Sequence, residues 1–318
     1  MRVIFMGTPE FAVPTLAALL DSEYPVVGVV TQPDRPRGRG KSVTASPVKE
    51  LALAHQIPLL QPEKMKQPEF LSALEAWHAD LIVVAAFGRI LPKAILDLPP
   101  RGCVNVHSSL LPKYRGAGPI QWAIINGETE TGITTMLMDE GMDTGPILLQ
   151  EKVSIREEDT AKELSDRLAH VGGQLLVRTL RLWEAKDIVP LTQEHSGATM
   201  APMLRKEDGV ISWAQSAETI GNRIRGLSPW PGAFTFCRQD RLMIWKARPY
   251  EGQTDSLSSG ASPGTIVKLD KQGIFVQTGD GILHITELQM ANRKRMTVGQ
   301  FLAGYSLECG MQLRSEPM

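Results

Sequence analysis

The chain has 318 residues, of which 42% are hydrophobic and 22% are charged, and its net charge is −1. This length exceeds the size at which one hydrophobic core is usual, so we expect two domains of ordinary globular composition. The near-neutral charge argues against a protein that binds nucleic acid over its whole surface. No apolar run approaches the roughly 18 residues of a transmembrane helix, and the chain opens with a strand pattern rather than a signal peptide. We therefore expect a cytoplasmic protein that does not enter the membrane.

Strands and helices alternate through the first half of the chain. Residues 2–6 form a near-continuous apolar run, as expected for a strand buried on both faces. Gly7 turns the chain, and Thr8 is predicted to cap a helix with Pro9 in its first position. Further strands are predicted at 25–31, 57–60, 80–87, 104–107, 132–138 and 153–155, and helices at 47–56, 67–78, 119–126 and 159–184.

This alternation predicts a Rossmann-like α/β domain with a mostly parallel sheet over residues 1–187. The Gly-x-Gly-x-x-Gly fingerprint of dinucleotide-binding folds is missing after the first strand, so we expect no dinucleotide there. Gly7 itself is explained by a tight turn, although a wall facing a substrate is the alternative.

A basic loop follows the second predicted strand. Residues 32–46 are rich in glycine and arginine, and we predict a loop that does not pack. Between residues 34 and 49, one acidic residue, Asp34, stands against five basic ones, namely Arg35, Arg37, Arg39, Lys41 and Lys49. Such a loop is either a solvated linker or a contact surface for an anionic partner.

The stretch from residue 103 to residue 116 contains the most informative pattern. Val104 and Val106 alternate with Asn105 and His107, so the two polar side chains share one face of a strand, roughly 6–7 Å apart. In a parallel α/β sheet, ligands bind beyond the carboxyl ends of the strands, where this pair would lie. The pair is either satisfied by neighbouring backbone or aimed at a ligand.

A second loop of interest, residues 139–145, follows another predicted strand and combines glycines with acidic residues. It lacks the ligand spacing of a calcium loop, so an ordinary turn is the simplest interpretation. A carboxylate beside His107 would fix the orientation of the imidazole, and Asp143 is the candidate.

Composition changes towards the second half of the chain. Residues 188–206 lack a long period and predict an interdomain linker. A short helix is predicted at 217–226, followed by strands at 233–237, 242–247, 264–269, 274–278 and 282–288. Short strands with Gly and Asp turns predict a small β-barrel of the OB type over residues 207–318. The three cysteines are widely spaced and predict no disulfide framework and no metal cluster, with Cys103 buried in a strand.

The pattern Asn105-x-His107 is followed by Ser-Leu-Leu-Pro at 109–112 and Arg-Gly at 115–116. Together they resemble the signature of the 10-formyltetrahydrofolate-dependent formyltransferases. The resemblance extends from the N-terminal sequence MRVIFMGTPEF, through MDEGMDTG at 138–145, to PWP at 229–231, and so covers nearly the full length.

The resemblance implies formyl transfer to an amine through a tetrahedral intermediate, whose oxyanion needs hydrogen-bond donors. It assigns Asn105, His107 and Asp143 as the catalytic trio. It implies 10-formyltetrahydrofolate as the formyl-donating cosubstrate, and no metal is required because the formyl group arrives on that cosubstrate. The residues that it implies for folate binding lie in three loops: Ser109, Leu110, Leu111, Pro112, Gly88, Arg89, Ile90, Leu91 and Asp139.

The full-length similarity is to family members that formylate the methionine carried by initiator tRNA. The core of the basic loop, residues 38–41, resembles the loop with which these enzymes enter the acceptor stem. We therefore interpret initiator Met-tRNA as the partner of a monomeric enzyme. The predicted tRNA contacts are Arg35, Arg37, Arg39, Lys41, Arg223 and Arg225.

Three alternatives share parts of this pattern. A glycinamide ribonucleotide formyltransferase would have the same trio and cosubstrate, but it would need a phosphate cradle and no C-terminal barrel. A sugar-nucleotide formyltransferase would have the same core. A noncatalytic RNA-binding module is opposed by the neutral charge and by the lack of an aromatic RNA-recognition signature.

Overall fold

The computed structural model describes residues 1–37, 42–252 and 260–317. It divides into two compact units. The first unit comprises Met1–Pro119, Glu130–Ser154 and Ser165–Pro202, and the second comprises Ile120–Thr129, Ile155–Leu164 and Met203–Met318. In the part of the chain that is described, no helix is both long enough and apolar enough to cross a membrane.

The first nine strands belong to the first unit. They are β1 (Val3–Gly7), β2 (Val26–Val30), β3 (Arg35–Arg37), β4 (Ser42–Thr44), β5 (Leu59–Leu60), β6 (Leu81–Ala85), β7 (Cys103–His107), β8 (Glu130–Leu137) and β9 (Ile147–Ser154). The helices that accompany them in sequence are α1 (Val13–Leu20), α2 (Pro47–Ala54), α3 (Pro68–Glu75), α4 (Lys93–Leu96), α5 (Pro119–Ile125) and α6 (Ala161–Ala185).

The main sheet of the first unit has seven strands in the order β5-β2-β1-β6-β7-β8-β9. The strands β5, β2, β1, β6 and β7 run parallel to one another. Strand β8 pairs antiparallel with β7, and β9 pairs antiparallel with β8. Every residue of β1 and β6 is buried, which explains their near-continuous apolar sequences. The predicted mostly parallel α/β sheet is confirmed, and the carboxyl ends of β1, β6 and β7 meet at one edge of it.

The structure corrects three local predictions in the first unit. Thr8 does not cap a helix: a 3₁₀ turn over Glu10–Ala12 precedes α1, and the Thr8 hydroxyl donates to the carbonyl of Phe87 at 3.3 Å. The basic loop is not entirely irregular, because β3 and β4 pair as a hairpin. The predicted strand at 153–155 is the end of the longer β9, whose outer half alternates exposed and half-buried residues and so lacks an apolar run.

The second unit is an antiparallel sheet that curls on itself. Its strands are β10 (Ala233–Cys237), β11 (Asp240–Pro249), β12 (Ile266–Asp270), β13 (Gly273–Gln277), β14 (Ile282–Met290), β15 (Met296–Thr297) and β16 (Leu313–Arg314), with helices α7 (Ala217–Gly226) and α8 (Val298–Leu302). The order is β12-β13-β14-β11-β10-β16, and β15 pairs with β14.

Backbone hydrogen bonds join the two edges of this curled sheet. The N–H of Ile266 donates to the carbonyl of Met311, and that of Leu313 donates to the carbonyl of Gly264, both at 2.8 Å. The side chains of Ile220 and Ile224 on α7 belong to the apolar core of the unit. The prediction of a small OB-like barrel is confirmed. Helix α8 and strands β15 and β16 were not predicted from the sequence, because they are too short to show a period.

Much of the segment predicted as a linker lies in the first unit, which extends to Pro202. Leu191 exchanges two backbone hydrogen bonds of 2.8 Å with Ile147, and Arg115 and Ala201 are joined by another of 2.7 Å. We call residues 191–201 the strap. One end of the strap pairs with Ile147, which follows loop 139–145, and the other end pairs with Arg115, which follows His107.

Candidate active site

The candidate site lies at the carboxyl end of β7. In the register of the sheet, Asn105 is opposite Met136 and His107 is opposite Thr134 on β8. His107 is only 6% exposed, and Asn105 is half-buried. The strand therefore fixes the backbone of both residues, and their shared face leaves the side chains next to the same loops.

Both nitrogens of the His107 ring face oxygen atoms. Nε2 lies 3.0 Å from the carbonyl oxygen of Tyr114, and Nδ1 lies 3.6 Å from Oδ2 of Asp143. A carbonyl oxygen only accepts hydrogen bonds, so the nitrogen that faces Tyr114 carries a proton. The remaining nitrogen is thereby directed at the carboxylate.

Asp143 joins the predicted trio together. Its Oδ2 accepts a hydrogen bond of 2.8 Å from the N–H of Gly116, and its Oδ1 lies 3.5 Å from Nδ2 of Asn105. The side chain is 16% exposed, so one edge of the cluster remains open. The structure thus brings Asp143 into one cluster with Asn105 and His107, which lie far before it in sequence.

The predicted folate residues of the signature loop have mainly structural contacts. Ser109 is fully buried, and its hydroxyl donates to the carbonyl of Lys113 at 2.6 Å. The Thr134 hydroxyl donates to the carbonyl of Ser109 at 2.7 Å and accepts from the N–H of Leu111 at 3.1 Å. Leu111 is buried as well, whereas Leu110 and Pro112 are half-buried. These contacts shape the loop beside His107.

The turn after β6 presents a more open set of predicted folate residues. Gly88 has a φ of +77°, which favours glycine. Arg89 donates to Oε1 of Gln32 at 2.9 Å and to the carbonyl of Glu63 at 2.8 Å. Leu91 is buried, but Ile90 is 78% exposed. The turn therefore offers an apolar side chain on a rigid support.

Loop 139–145 is held by its own side chains. Oδ1 of Asp139 accepts from the N–H of Gly141 at 3.0 Å and from the Thr144 hydroxyl at 2.7 Å. Met142, at the tip of the loop, is 55% exposed. Asp139, predicted to contact folate, thus acts within the loop as a turn-forming acceptor, and Met142 is the apolar side chain that the loop presents.

The predicted tRNA residues of the basic loop are described only in part. Arg35 is exposed and lines a cavity of about 410 Å³ together with Arg89. Arg37 is described by its backbone alone, and Arg39 and Lys41 lie outside the described residues. Lys49 cannot be counted with them as a free cation, because its Nζ lies 2.5 Å from Oδ2 of Asp34.

This ion pair favours the charged form of Asp34. The hydrogen bonds from Lys49 and then Gln61 lower the pKa of the Asp34 carboxyl. The two charges offset one another at the base of the hairpin. The excess positive charge of the basic loop therefore resides in the residues from 35 to 41.

The two predicted tRNA contacts of the second unit make intramolecular hydrogen bonds. Arg225 donates to the carbonyl of Asp159 at 2.9 Å and to that of Arg156 at 3.3 Å, and burial lowers the pKa of its guanidinium. Arg223 donates to the carbonyl of Asp208. Both side chains are half-buried, so part of each guanidinium is committed to holding backbone.

Sequence reasoning missed Gln193, which lies in the predicted linker. Its side chain is 4% exposed and bridges Arg115 to the carbonyls of Asp143 and Gly145. A signal was present, because Arg115 belongs to the signature and a buried arginine needs an acceptor. The sequence could not say which of many polar side chains supplies it.

Comparison with known proteins identifies the family. The family described as "Formyl transferase" matches residues 1–180, and "Formyl transferase, C-terminal domain" matches residues 203–306. The methionyl-tRNA formyltransferase of Syntrophus aciditrophicus is 53% identical over 313 residues, which cover 98% of this chain and 99% of the relative. The chain belongs to the methionyl-tRNA formyltransferase family. It is a formyl-transferring enzyme, as the resemblance implied.

Two solved structures illustrate how far the fold extends. The N-formyltransferase from Helicobacter canadensis, in complex with folinic acid and dTDP-3-aminofucose, has a TM-score of 0.66 at 18% identity and covers 92% of this chain and 100% of its own. The phosphoribosylglycinamide formyltransferase from Bacillus halodurans has a TM-score of 0.50 at 29% identity and covers 59% of this chain and 97% of its own. The former shows the fold alone, and the latter matches little more than half of this chain.

Proposed function

We propose that this protein transfers the formyl group of 10-formyltetrahydrofolate to the α-amino group of methionine on initiator Met-tRNA. The observation that carries the proposal is the cluster of Asn105, His107 and Asp143 at the end of β7. Membership of the methionyl-tRNA formyltransferase family, at 53% identity over nearly the whole chain, supports the acceptor. The product would be the formylmethionyl-tRNA that starts translation.

The cluster supports a division of labour in acyl transfer. The amine nitrogen bonds to the formyl carbon, the carbon–N10 bond of the folate breaks, and the amine proton passes to that nitrogen. The carbonyl oxygen carries negative charge in between, and Nδ2 of Asn105 is a suitable donor because its contact to Asp143 is long and weak. His107 is the second polar side chain beside the reacting atoms, and Asp143 orients the imidazole ring of His107.

Folate binding is supported by what the two loops beside the trio expose. Ile90 and Met142 are large apolar side chains in contact with solvent, and each stands on a tightly bonded turn. A flat heterocycle with an aromatic tail would cover such side chains while the turns offer backbone donors and acceptors. We assign the other predicted residues of the two turns, Gly88, Arg89, Leu91 and Asp139, to shaping this pocket, and the Ser109–Pro112 loop to its wall.

Initiator Met-tRNA would be bound by the basic hairpin and by the barrel. Arg35 is exposed, and Arg37, Arg39 and Lys41 follow it in sequence, so the basic loop would supply four cations for contacts to phosphates. For Arg223 and Arg225, which donate to backbone carbonyls, we propose that the exposed part of each guanidinium contacts RNA. Residues 1–187 would supply the chemistry and residues 207–318 the tRNA surface, with 188–206 joining them.

We further propose that the enzyme acts as a metal-free monomer in the cytoplasm. The formyl group is already activated on the cosubstrate, so the side-chain donors suffice without a Lewis acid. Activity that survives exhaustive dialysis against a chelator would support the metal-free enzyme, and a sedimentation mass of one chain at assay concentration would support the monomer.

The decisive experiment compares three formyl acceptors in separate reactions. The purified protein is incubated with 10-formyltetrahydrofolate and, in parallel, with Met-tRNA, glycinamide ribonucleotide or an aminosugar nucleotide, and loss of the donor is followed spectroscopically. We expect turnover with Met-tRNA alone. Turnover with either small acceptor would assign the chain to the corresponding alternative, and no turnover with any of the three would contradict the proposal.

A further inference from the structure

The strap is bonded to both loops that converge on the trio. Beyond the pairs of Leu191 with Ile147 and of Ala201 with Arg115, the N–H of Arg115 donates to the carbonyl of Thr199 at 2.8 Å. One end of the strap thus follows loop 139–145, and the other end pairs with the signature loop. A buried side chain between these two ends of the strap lies close to both loops.

Gln193 is that side chain, and its amide is fully used. Oε1 accepts from Nε of Arg115 at 3.1 Å and from Nη2 at 2.7 Å. Nε2 donates to the carbonyl of Asp143 at 2.9 Å and to that of Gly145 at 2.7 Å. A guanidinium only donates and carbonyls only accept, so these partners determine which way the amide points.

The backbone of Asp143 has a conformation that needs such support. Its φ is +53°, in the left-handed region that residues other than glycine rarely adopt. Two hydrogen bonds hold the residue there, one from Gln193 to its carbonyl and one from the N–H of Gly116 to its carboxylate. The next turn is equally tight, because a Cβ at Gly145 would lie 1.8 Å from the carbonyl oxygen of Leu137.

We propose that Gln193 is a positioning residue for formyl transfer, which holds loop 139–145 so that the carboxylate of Asp143 faces His107. Arg115 orients the Gln193 amide from the other side and thereby couples the signature loop to the same carboxylate. The inference rests on the proposed function, since it assigns to Gln193 an effect on the catalytic step. It also makes the strap a part of the active site, within the segment 188–206 that joins the two domains.

The test uses Gln193→Glu in the full-length enzyme. The substitution keeps size and shape, and it gives Arg115 an ionic partner, but it turns a carboxylate oxygen towards two carbonyl oxygens. We expect kcat to fall about 100-fold, as for a misplaced catalytic group, while KM for each substrate changes less than about threefold. A residue that served only as a hydrogen-bond acceptor for Arg115 would tolerate glutamate, so an unchanged kcat would overturn the inference.

A double-mutant cycle separates positioning from general stability. In an Asp143→Asn background, Gln193→Glu should lower kcat less than about threefold further, because both changes act through the same carboxylate. Multiplying losses would overturn the inference. If Gln193→Glu does not fold, as judged by thermal unfolding, Gln193→Ala takes its place with an expected loss of about tenfold or more, and an unchanged kcat again refutes the role.

A matched control is available in the second unit. The amide of Gln277 donates to the carbonyls of Thr278 and Gly281, at 3.0 and 3.3 Å. Gln277→Glu therefore creates the same repulsion without touching Asp143, and kcat should be unchanged. A wild-type enzyme that fails to formylate Met-tRNA would refute the proposed function, whereas active Gln193 variants beside an inactive Asp143→Ala variant would refute the inference alone.

Discussion

Single residues at the end of β7 differ in how firmly they are held. His107 faces an acceptor on both sides of its ring, so rotation would sacrifice the contact to Tyr114 or the one to Asp143. Asn105 has a weak contact of 3.5 Å to Asp143, so its amide can turn to a ligand at little cost. A fixed imidazole next to an adaptable amide suits a reaction in which charge develops at one oxygen.

Replacing any member of the trio should therefore affect the chemical step. We expect Asn105→Ala, His107→Ala and Asp143→Ala each to lower kcat by about 10²–10³-fold, with combined losses smaller than the product of the single ones. Single-turnover formylation of Met-tRNA measures the rate constant of the chemical step. The variant Lys93→Ala, at an exposed position, is the control. Near-normal turnover of His107→Ala would contradict the mechanism.

The three cysteines provide a prediction on protonation. Burial, followed by the charge of Asp97, raises the pKa of the Cys103 thiol to about 12, and burial also raises the pKa of Cys237. Cys309 is exposed. Because the thiolate is the reactive form, iodoacetamide at about pH 8 should label Cys309 first, Cys237 more slowly and Cys103 only after unfolding. Mass spectrometry of timed samples reports the order, and rapid labelling of native Cys103 would show that its strand opens readily.

Two elements of the chain, the β3–β4 pair and helix α6, place particular residues where a substitution has a predictable effect. Strands β3 and β4 pair with each other, and the Asp34–Lys49 ion pair lies beside the start of β3. Helix α6 instead contacts its neighbours through two glycines. A Cβ at Gly173 would lie 2.8 Å from the carbonyl oxygen of Pro14, and one at Gly172 would lie 3.0 Å from a methyl group of Val106.

The hairpin should control how tRNA binding depends on salt. Each phosphate that an arginine neutralises contributes roughly 0.7–0.9 to the slope of log K against log salt concentration. We expect Arg35→Ala and Arg39→Ala each to reduce the slope by about this amount, with folate binding unchanged. Filter binding over a salt series measures the slope, and the neutral pair Asp34→Asn/Lys49→Gln is the control. Unaltered slopes in both arginine variants would show that the hairpin does not contact the phosphates of tRNA.

The glycines of α6 should reverse the usual effect of alanine in a helix. Gly→Ala inside an exposed helix stabilises by about 1 kcal/mol. At Gly173 the new methyl group meets a backbone oxygen that cannot rotate away, so we expect a loss of roughly 1–3 kcal/mol in the free energy of unfolding. At Gly172 the neighbour is a side-chain methyl group, and the loss should be smaller. Urea unfolding compares the two, and a stabilised Gly173→Ala protein would disprove the packing argument.

At the level of the whole molecule, the compact units do not follow the order of the chain. Residues 120–129 and 155–164 come early in sequence but belong to the second unit. Ile125, which is 8% exposed, lies in the same apolar cluster as Ile224 and Leu227. The backbone carbonyls of Arg156 and Asp159 are capped by Arg225.

A chain shortened to end at Pro202 should therefore expose apolar surface and aggregate more readily. Ile125→Ala offers a sharper test, because its effect should depend on the chain that carries it. In the full-length protein we expect a loss of about 2–5 kcal/mol in stability, as for other buried isoleucines. In the shortened chain, where the partners of Ile125 are missing, the loss should be close to zero. Equal losses in both chains, measured by urea unfolding, would contradict this division.

Local sequence patterns determined the elements and the candidate donors. The apolar runs of β1 and β6 predict buried strands, and the alternation in β7 predicts that Asn105 and His107 share a face. The predicted helix at 217–226 matches α7 to the residue, since its period is regular and Ser216 caps it. The resemblance to a family then supplied roles for Asn105, His107 and Asp143, which no pattern of periods could provide.

Only the tertiary structure decided which distant residues meet. Gln193 contacts Arg115 across 78 positions, and the β12 and β16 edges of the barrel are joined by Ile266 and Met311. Such pairings depend on where each crossover returns the chain to the sheet. The residues next to the crossover do not determine that position. The polar composition of 188–206 is common to free linkers and to segments whose polar groups are satisfied by a neighbouring surface. The difference between the two lies in the partners, and these are supplied by the fold.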